Sequence, residues 1–185
     1  MGVRLQSDGW LPVKHSRLYG ILWRLAEFVF VSNQLQVFGG LRILVLRWFG
    51  ATIGTGCVLP PFRVRFPYNL YLGDRCWIGE QTYISNPAKF TMGSDSALNQ
   101  ECLIITGSHN TITMEETVSP ITLGDGVWLS SRTIIISNGH GITIGDGVIT
   151  TPGSVICRSL AGANDGSRTI WGGNPVRKIR NLESE

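Results

Sequence analysis

The apolar positions change their period once along the chain. From residue 53 onward an aliphatic residue recurs every six positions, often followed by Gly. The units read "IGTGCV" (53–58), "LGDRCW" (72–77), "IGEQTY" (78–83), "MGSDSA" (92–97), "LNQECL" (98–103), "LGDGVW" (123–128), "LSSRTI" (129–134) and "IGDGVI" (144–149). Four places after each aliphatic residue stands a small or β-branched one: Cys57, Cys76, Thr82, Ser96, Cys102, Val127, Thr133 and Val148. A period of six does not suit an α-helix, but it suits short strands joined by sharp bends. If three strands make one triangular coil, each aliphatic residue points to the prism axis. The small residue then sits near a corner, and Gly supplies the unusual backbone angles of the bends. Stacked coils bury a continuous apolar column and satisfy one another's backbone groups. About five coils fit between Ile53 and Cys157.

Breaks in the period mark excursions. About two extra residues precede Met92, a long excursion "NTITMEETVSP" (110–120) follows His109, and a shorter one lies around "SNGHG" (137–141). Such departures from a regular scaffold usually carry binding residues. Before the repeat the spacing is helical. Leu18, Leu22, Leu25 and Val29 form one set and Leu41, Leu44 and Trp48 another, with Gly39 and Gly40 between them. Two helices are predicted, packed as a cap over the open end of the stack. Arg24 and Glu27 then read as solvent-facing charges. The interleaving of Arg17, Arg24, Arg42 and Arg47 with Trp and Phe also fits peripheral contact with a membrane surface. The chain divides into a helical cap segment (1–50), a coil-stack domain (51–160) and a C-terminal tail (161–185).

Composition narrows the function classes. The 185 residues are 43% hydrophobic and 16% charged. No apolar run approaches the ~18 residues of a membrane span. The start "MGVRLQSDGWLPVKHSR" lacks the apolar core and cleavage site of a signal peptide, so the cytoplasm is the expected location. A net charge of +3 permits an anionic ligand. No basic stripe with interleaved aromatics is present, which argues against a nucleic-acid partner. Cys57, Cys76, Cys102 and Cys157 form no CxxC pair, against zinc-ribbon and thioredoxin readings. Three of the four occupy the small corner position and read as small buried hydrophobes.

Taken together, the hexapeptides, "TGSHN" (106–110), "PITLGDGVW" (120–128) and "GGNPVRKIR" (172–180) resemble the hexapeptide-repeat acyltransferases. Within that family the likeness is to sugar O-acetyltransferases of the maltose, galactoside, nodulation and colanic acid types. It covers about residues 40–181, including "LRWFGATIG" (46–54). The resemblance implies a left-handed parallel β-helix, acetyl-CoA as acyl donor, no metal, and a homotrimer with its active sites in the clefts between neighbouring prisms.

A sugar hydroxyl is a poor nucleophile at neutral pH, and a neutral imidazole in reach can take its proton as attack begins. The resemblance gives that role to His109, at the end of the "TGxH" segment. Glu80, Glu101, Glu115 and Glu116 are all open as the carboxylate that orients the ring. The resemblance implies Glu80, Gln81, Asn99 and Gln100 as acceptor contacts. For the donor it implies Trp128 and Ser131, with Arg158, Arg177, Lys178 and Arg180 toward the nucleotide end, where forked guanidinium donors suit phosphates. "TTPGS" (150–154) departs from the family's usual turn, and Thr150 replaces an aliphatic residue. The γ-class carbonic anhydrases share this fold but need three histidines around zinc. His109 has no histidine close by, His140 is one coil away and His15 lies outside the repeat, against a metal site. N-acyl transfer to an amino sugar and a catalytically silent scaffold are the alternatives to O-acetyl transfer. The Arg/Trp-rich helices favour a polymer-precursor substrate near the inner face of a membrane.

Overall fold

The computed structural model describes residues 16–33, 39–109, 116–137, 139–163 and 167–182, without the side chains of His109 and Glu116. His15, Glu115 and most of the 110–120 excursion lie outside the described residues. Helix α1 (Arg17–Ala26) starts where the Ser16 hydroxyl accepts the Tyr19 N–H at 3.3 Å, and runs on as a π-helical turn, Glu27–Val31. Helix α2 (Gly39–Trp48) follows, and then the coils begin.

Coil 1 holds β1 (Thr52–Ile53) and β2 (Arg63–Val64). Coil 2 holds β3 (Leu70–Leu72), β4 (Trp77–Ile78) and β5 (Tyr83–Ser85). Coil 3 holds β6 (Phe90–Met92), β7 (Ala97–Leu98) and β8 (Leu103–Ile105). A ribbon, β9 (Gly107–His109) with β10 (Glu116–Val118), interrupts the stack. Coil 4 is β11 (Ile121–Leu123), β12 (Trp128–Leu129) and β13 (Ile134–Ile136). Coil 5 is β14 (Ile142–Ile144), β15 (Val148–Thr150) and β16 (Val155–Ile156). A hairpin, β17 (Arg168–Gly172) and β18 (Arg177–Leu182), closes the far end.

The strands assemble into three parallel sheets, one per prism side. Face A is β1-β3-β6-β11-β14, face B is β4-β7-β12-β15-β17 with β18 antiparallel at its edge, and face C is β2-β5-β8-β13-β16. This is the expected left-handed parallel β-helix of about five turns with helices at its N-terminal side. Inward residues stack by register: Leu72 on Met92, Ile78 on Leu98, Ile84 on Ile104, Leu123 on Ile144. All of these are at most 3% exposed, so the axial column predicted from the period of six is one continuous core.

Three details differ from the sequence reading. The two residues gained before Met92 are not a lone break. Each face A strand of coils 2 to 5 buries two residues, as in Phe90 with Met92, which makes that side one pleat wider. The glycines after the aliphatic residues are also needed for closeness rather than backbone angle. A Cβ on Gly79 would lie 2.6 Å from the Asn99 carbonyl carbon, and one on Gly73 would lie 2.7 Å from the Ser94 nitrogen. The left-handed corner positions themselves are often not glycine: Arg75, Gln81, Asp95, Glu101 and Arg132 all have φ between 53° and 61°.

The helical pair does cap coil 1, through the side opposite to the one expected. The Trp23 indole donates to the Val64 carbonyl at 3.1 Å, and Glu27 accepts the Val64 N–H at 3.0 Å. Arg42, 1% exposed, donates to the carbonyls of Val31 and Leu59, and Arg47 to those of Ile53 and Gly54. Glu27 is 4% exposed and paired with Arg24, so it is no solvent-facing charge. Leu18, Leu22, Leu25, Val29, Leu41, Leu44 and Trp48 all face outward. The physical reason is the open coil edge. It presents unpaired N–H and C=O groups, which polar and indole side chains satisfy and aliphatic ones cannot.

Candidate active site

The ribbon leaves the stack at the corner between faces C and A, between coils 3 and 4. It departs at Gly107, two residues earlier than a departure at His109. Ser108 is half-buried on the ribbon, and its carbonyl accepts the Thr117 hydroxyl at 3.3 Å. Thr106 is the small buried residue there, exchanging hydrogen bonds with the Ala88 N–H and C=O. β9 and β10 pair antiparallel, with His109 in register with Glu116. The 137–141 loop lies on the same edge one coil on. Gly139 approaches Thr117, Gly141 approaches Pro120, and the hydroxyls of Ser119 and Ser137 touch. His140, exposed, thus shares the edge from which His109 departs.

The other polar residues singled out lie on a different edge. Glu80 and Gln81, Asn99 and Gln100, and Ser131 occupy the corner between faces B and C in coils 2, 3 and 4. Within one protomer, face C separates them from the ribbon by about 15 Å, five residues of extended chain. Part of that set is engaged in stacking. Asn99 donates to the Leu129 carbonyl at 3.1 Å, and the Ser131 hydroxyl donates to Gln100 at 3.0 Å. Beside them the Arg132–Glu101 pair, at 2.8 Å, bridges coils 3 and 4 on the surface.

Of the donor candidates, Trp128 lies on face B and Arg177, Lys178 and Arg180 on β18 at its edge, whereas Ser131 and Arg158 stand off that face. Trp77, Ala97, Trp128, Ile149 and Ile170 form one outward row across the sheet, and Arg180 continues it on β18. Trp77 and Trp128 meet edge to face at 6.5 Å, with the Trp77 indole N–H buried and unpartnered. Arg177 and Lys178 stand exposed on the same terminal strand, and Arg158 donates to the Val176 carbonyl at 3.3 Å. Thr150 keeps an axial place by hydrogen bonding: its hydroxyl accepts the Ser130 N–H at 3.0 Å and meets that of Thr133 at 3.0 Å. The resemblance implied Trp128 but not Ile149 and Ile170, which stand in the same outward row. Their signal was the outward position beside an axial residue. Among the described residues no three His, Cys, Asp or Glu side chains gather as a metal site.

The five-coil prism with helices at its N-terminal side is a fold shared with solved β-helix acetyltransferases. No protein-family model matches the chain. It is 30% identical over 162 residues to an Escherichia coli (strain K12) protein named as a colanic acid biosynthesis acetyltransferase, spanning 86% of this chain and 85% of that one. A maltose O-acetyltransferase from Clostridium difficile superposes with TM-score 0.74 at 25% identity, covering 91% of this chain and 90% of the other. A hexapeptide-repeat acetyltransferase from Vibrio cholerae, solved with acetyl coenzyme A, gives 0.76 at 22% identity over 91% and 87% of the two chains. The protein belongs to the hexapeptide-repeat acetyltransferase family. It is an acyltransferase.

Proposed function

We propose that the protein transfers an acetyl group from acetyl-CoA to a hydroxyl of a saccharide or glycan precursor, with His109 as general base. The observation that carries this reading is the ribbon that interrupts the coil stack, whose first strand ends at His109. His109 takes the proton of the acceptor hydroxyl while its oxygen attacks the thioester carbonyl carbon. The tetrahedral oxyanion collapses with loss of the CoA thiolate, which recovers the proton from the imidazolium. The products are the acetyl ester and free CoA, with no covalent enzyme intermediate. Of the four candidate carboxylates, Glu116 is the one in register with His109 and the first to test as its positioning partner.

The donor lies along the face B row, its pantetheine arm on Trp128 and Ile149 and its phosphates toward Arg180, Arg177 and Lys178. The active unit is a homotrimer. Supporting this, the outward rows differ by face. Face A carries Thr52, Tyr71, Thr91, Thr122 and Thr143, whereas faces B and C carry mainly aromatic and aliphatic residues such as Trp128, Ile149, Leu103 and Ile134. A closed three-fold ring uses two different surfaces of each copy, and two apolar faces supply them. The B/C edge of one copy then meets the ribbon of another, uniting Glu80, Gln81, Asn99 and Gln100 with His109. The protein works in the cytoplasm, at the inner face of the membrane, with its N-terminal segment in contact.

The test is acetyl-CoA turnover against free sugars, amino sugars, nucleotide sugars and glycan precursors. Ester formation on a hydroxyl supports the reading. Amide formation on an amino sugar replaces it with N-acyl transfer. Absence of any transfer favours a scaffold.

A further inference from the structure

The helical pair turns its most apolar side to solvent. Leu18, Leu25, Phe28, Leu44 and Trp48 are 63%, 60%, 76%, 59% and 92% exposed, while Trp23, Glu27, Arg42 and Leu46 hold coil 1. Large apolar side chains left exposed along both helices mark an interaction site. The charge of the chain is divided to match. Before Asp74 the sequence has eight Lys/Arg against two Asp/Glu; from Asp74 onward it has eight against eleven. Of those two early acids, Glu27 is buried and paired with Arg24. The apolar face therefore belongs to the part of the chain richest in net positive charge, where Arg17, Arg24, Arg47, Arg63 and Arg65 stand among the described residues against Glu27 alone. No described helix is long and apolar enough to cross a bilayer. Short amphipathic helices with aromatic residues and a cationic surround lie in the plane of the interface, attracted by anionic headgroups.

We propose that α1 and α2 lay this face into an anionic lipid surface, with the prism standing off the membrane, and that the acceptor is a lipid-linked saccharide carried by that surface. The docking deepens the membrane contact proposed above; only the acceptor rests on the reading as a glycan acetyltransferase. A second copy is the weaker occupant. Its helical pair carries the same positive charge, and like-charged faces oppose association. In a side-by-side trimer the three faces point the same way, and multivalency multiplies a weak contact.

The test is flotation of the full-length protein with vesicles of phosphatidylcholine alone or with about 30 mol% phosphatidylglycerol. Wild type is expected to bind the anionic vesicles about tenfold better, with binding reduced by salt. The double variant Leu22→Ser, Phe28→Ser removes apolar area without adding charge at two exposed positions. It is expected to lose vesicle binding about tenfold while keeping its melting temperature and acetyl-CoA affinity. Failure of wild type to bind anionic vesicles overturns the docking, as does unchanged binding by the variant. A changed sedimentation mass in the variant shows the face to be a subunit contact, and overturns it too. These readouts need no turnover, so they stand apart from the fate of the acetyl-transfer reading. For the acceptor, wild type is expected to acetylate a vesicle-borne lipid-linked saccharide in preference to the free sugar. The variant is expected to lose that preference alone. Equal rates on both acceptors in wild type overturn the acceptor assignment.

Discussion

The prism and the helical pair answer the same physical question in opposite ways. Both carry a regular aliphatic pattern. The prism turns its aliphatic residues inward, where Ile78, Ile84, Leu98 and Ile104 stack at 0% exposure. The helices turn most of theirs outward and bury Trp23, Glu27 and Arg42 beside Val31 and Leu46. Coils have their backbone needs met by the coils above and below, so only apolar packing is left for the axis. The first coil has no coil beneath it, so the cap must supply hydrogen-bonding side chains. A periodic pattern therefore reveals that an apolar face exists; which way it points depends on what the neighbour lacks.

The sharpest way to break this contrast is to truncate one residue of each kind. Ile104→Ala is expected to destabilise by about 2–5 kcal/mol, because a fully buried side chain leaves a cavity in the column. Leu22→Ala, at a position 49% exposed, is expected to stay within about 0.5 kcal/mol. Urea unfolding of the two variants makes the comparison. Equal losses would mean that the helix face is covered in the folded protein.

The next effect is on the seam between the two regions. Arg42→Ala strips donors from the carbonyls of Val31 and Leu59, with an expected loss of about 2–4 kcal/mol. Arg42→Lys should recover little, since one ammonium cannot repeat the forked contacts. Hydrogen exchange is expected to localise the loss to α2 and coil 1, leaving coils 4 and 5 protected.

The smallest effect is chemical. Burial pushes the Cys76 thiol up to about 12, with Cys57 beside it adding to the shift, and burial pushes Cys102 to about 11. Both thiols remain protonated in the folded state at pH values where an unfolded thiol ionises, near 9. Their contribution to stability is thus complete below about pH 9 and declines as pH rises through the folded values. At pH 8 a thiol reagent is expected to modify exposed Cys157 quickly, and Cys76 and Cys102 only after unfolding. Rapid labelling of Cys76 in native protein would contradict the corner assignment.

Much of this molecule was legible in its sequence because the repeat is local. Each hexapeptide states its own inward residue, and all eight aliphatic positions read that way are buried. What was not legible depends on neighbours in space. Glycines serving close coil approach look the same in sequence as glycines serving a turn. Thr150 reads as a departure until its bonds to Ser130 and Thr133 are seen. Glu27 reads as a solvent-facing charge, and Arg42 as a membrane-facing one, because nothing local records the open edge they satisfy. The candidate site divides likewise. His109 stands out beside the ribbon, whereas the polar residues of the B/C corner could not be assigned to the same protomer's edge or another's from spacing alone.

The most direct measurement is acetyl transfer by His109→Ala under saturating acetyl-CoA, beside wild type over a range of pH. The expected result is a fall in kcat of about 10²–10⁴-fold, with folding and acetyl-CoA binding retained. In wild type, activity should fall in acid, where a general-base imidazole is protonated. A His109→Ala protein that transfers acetyl groups at the wild-type rate would contradict the account.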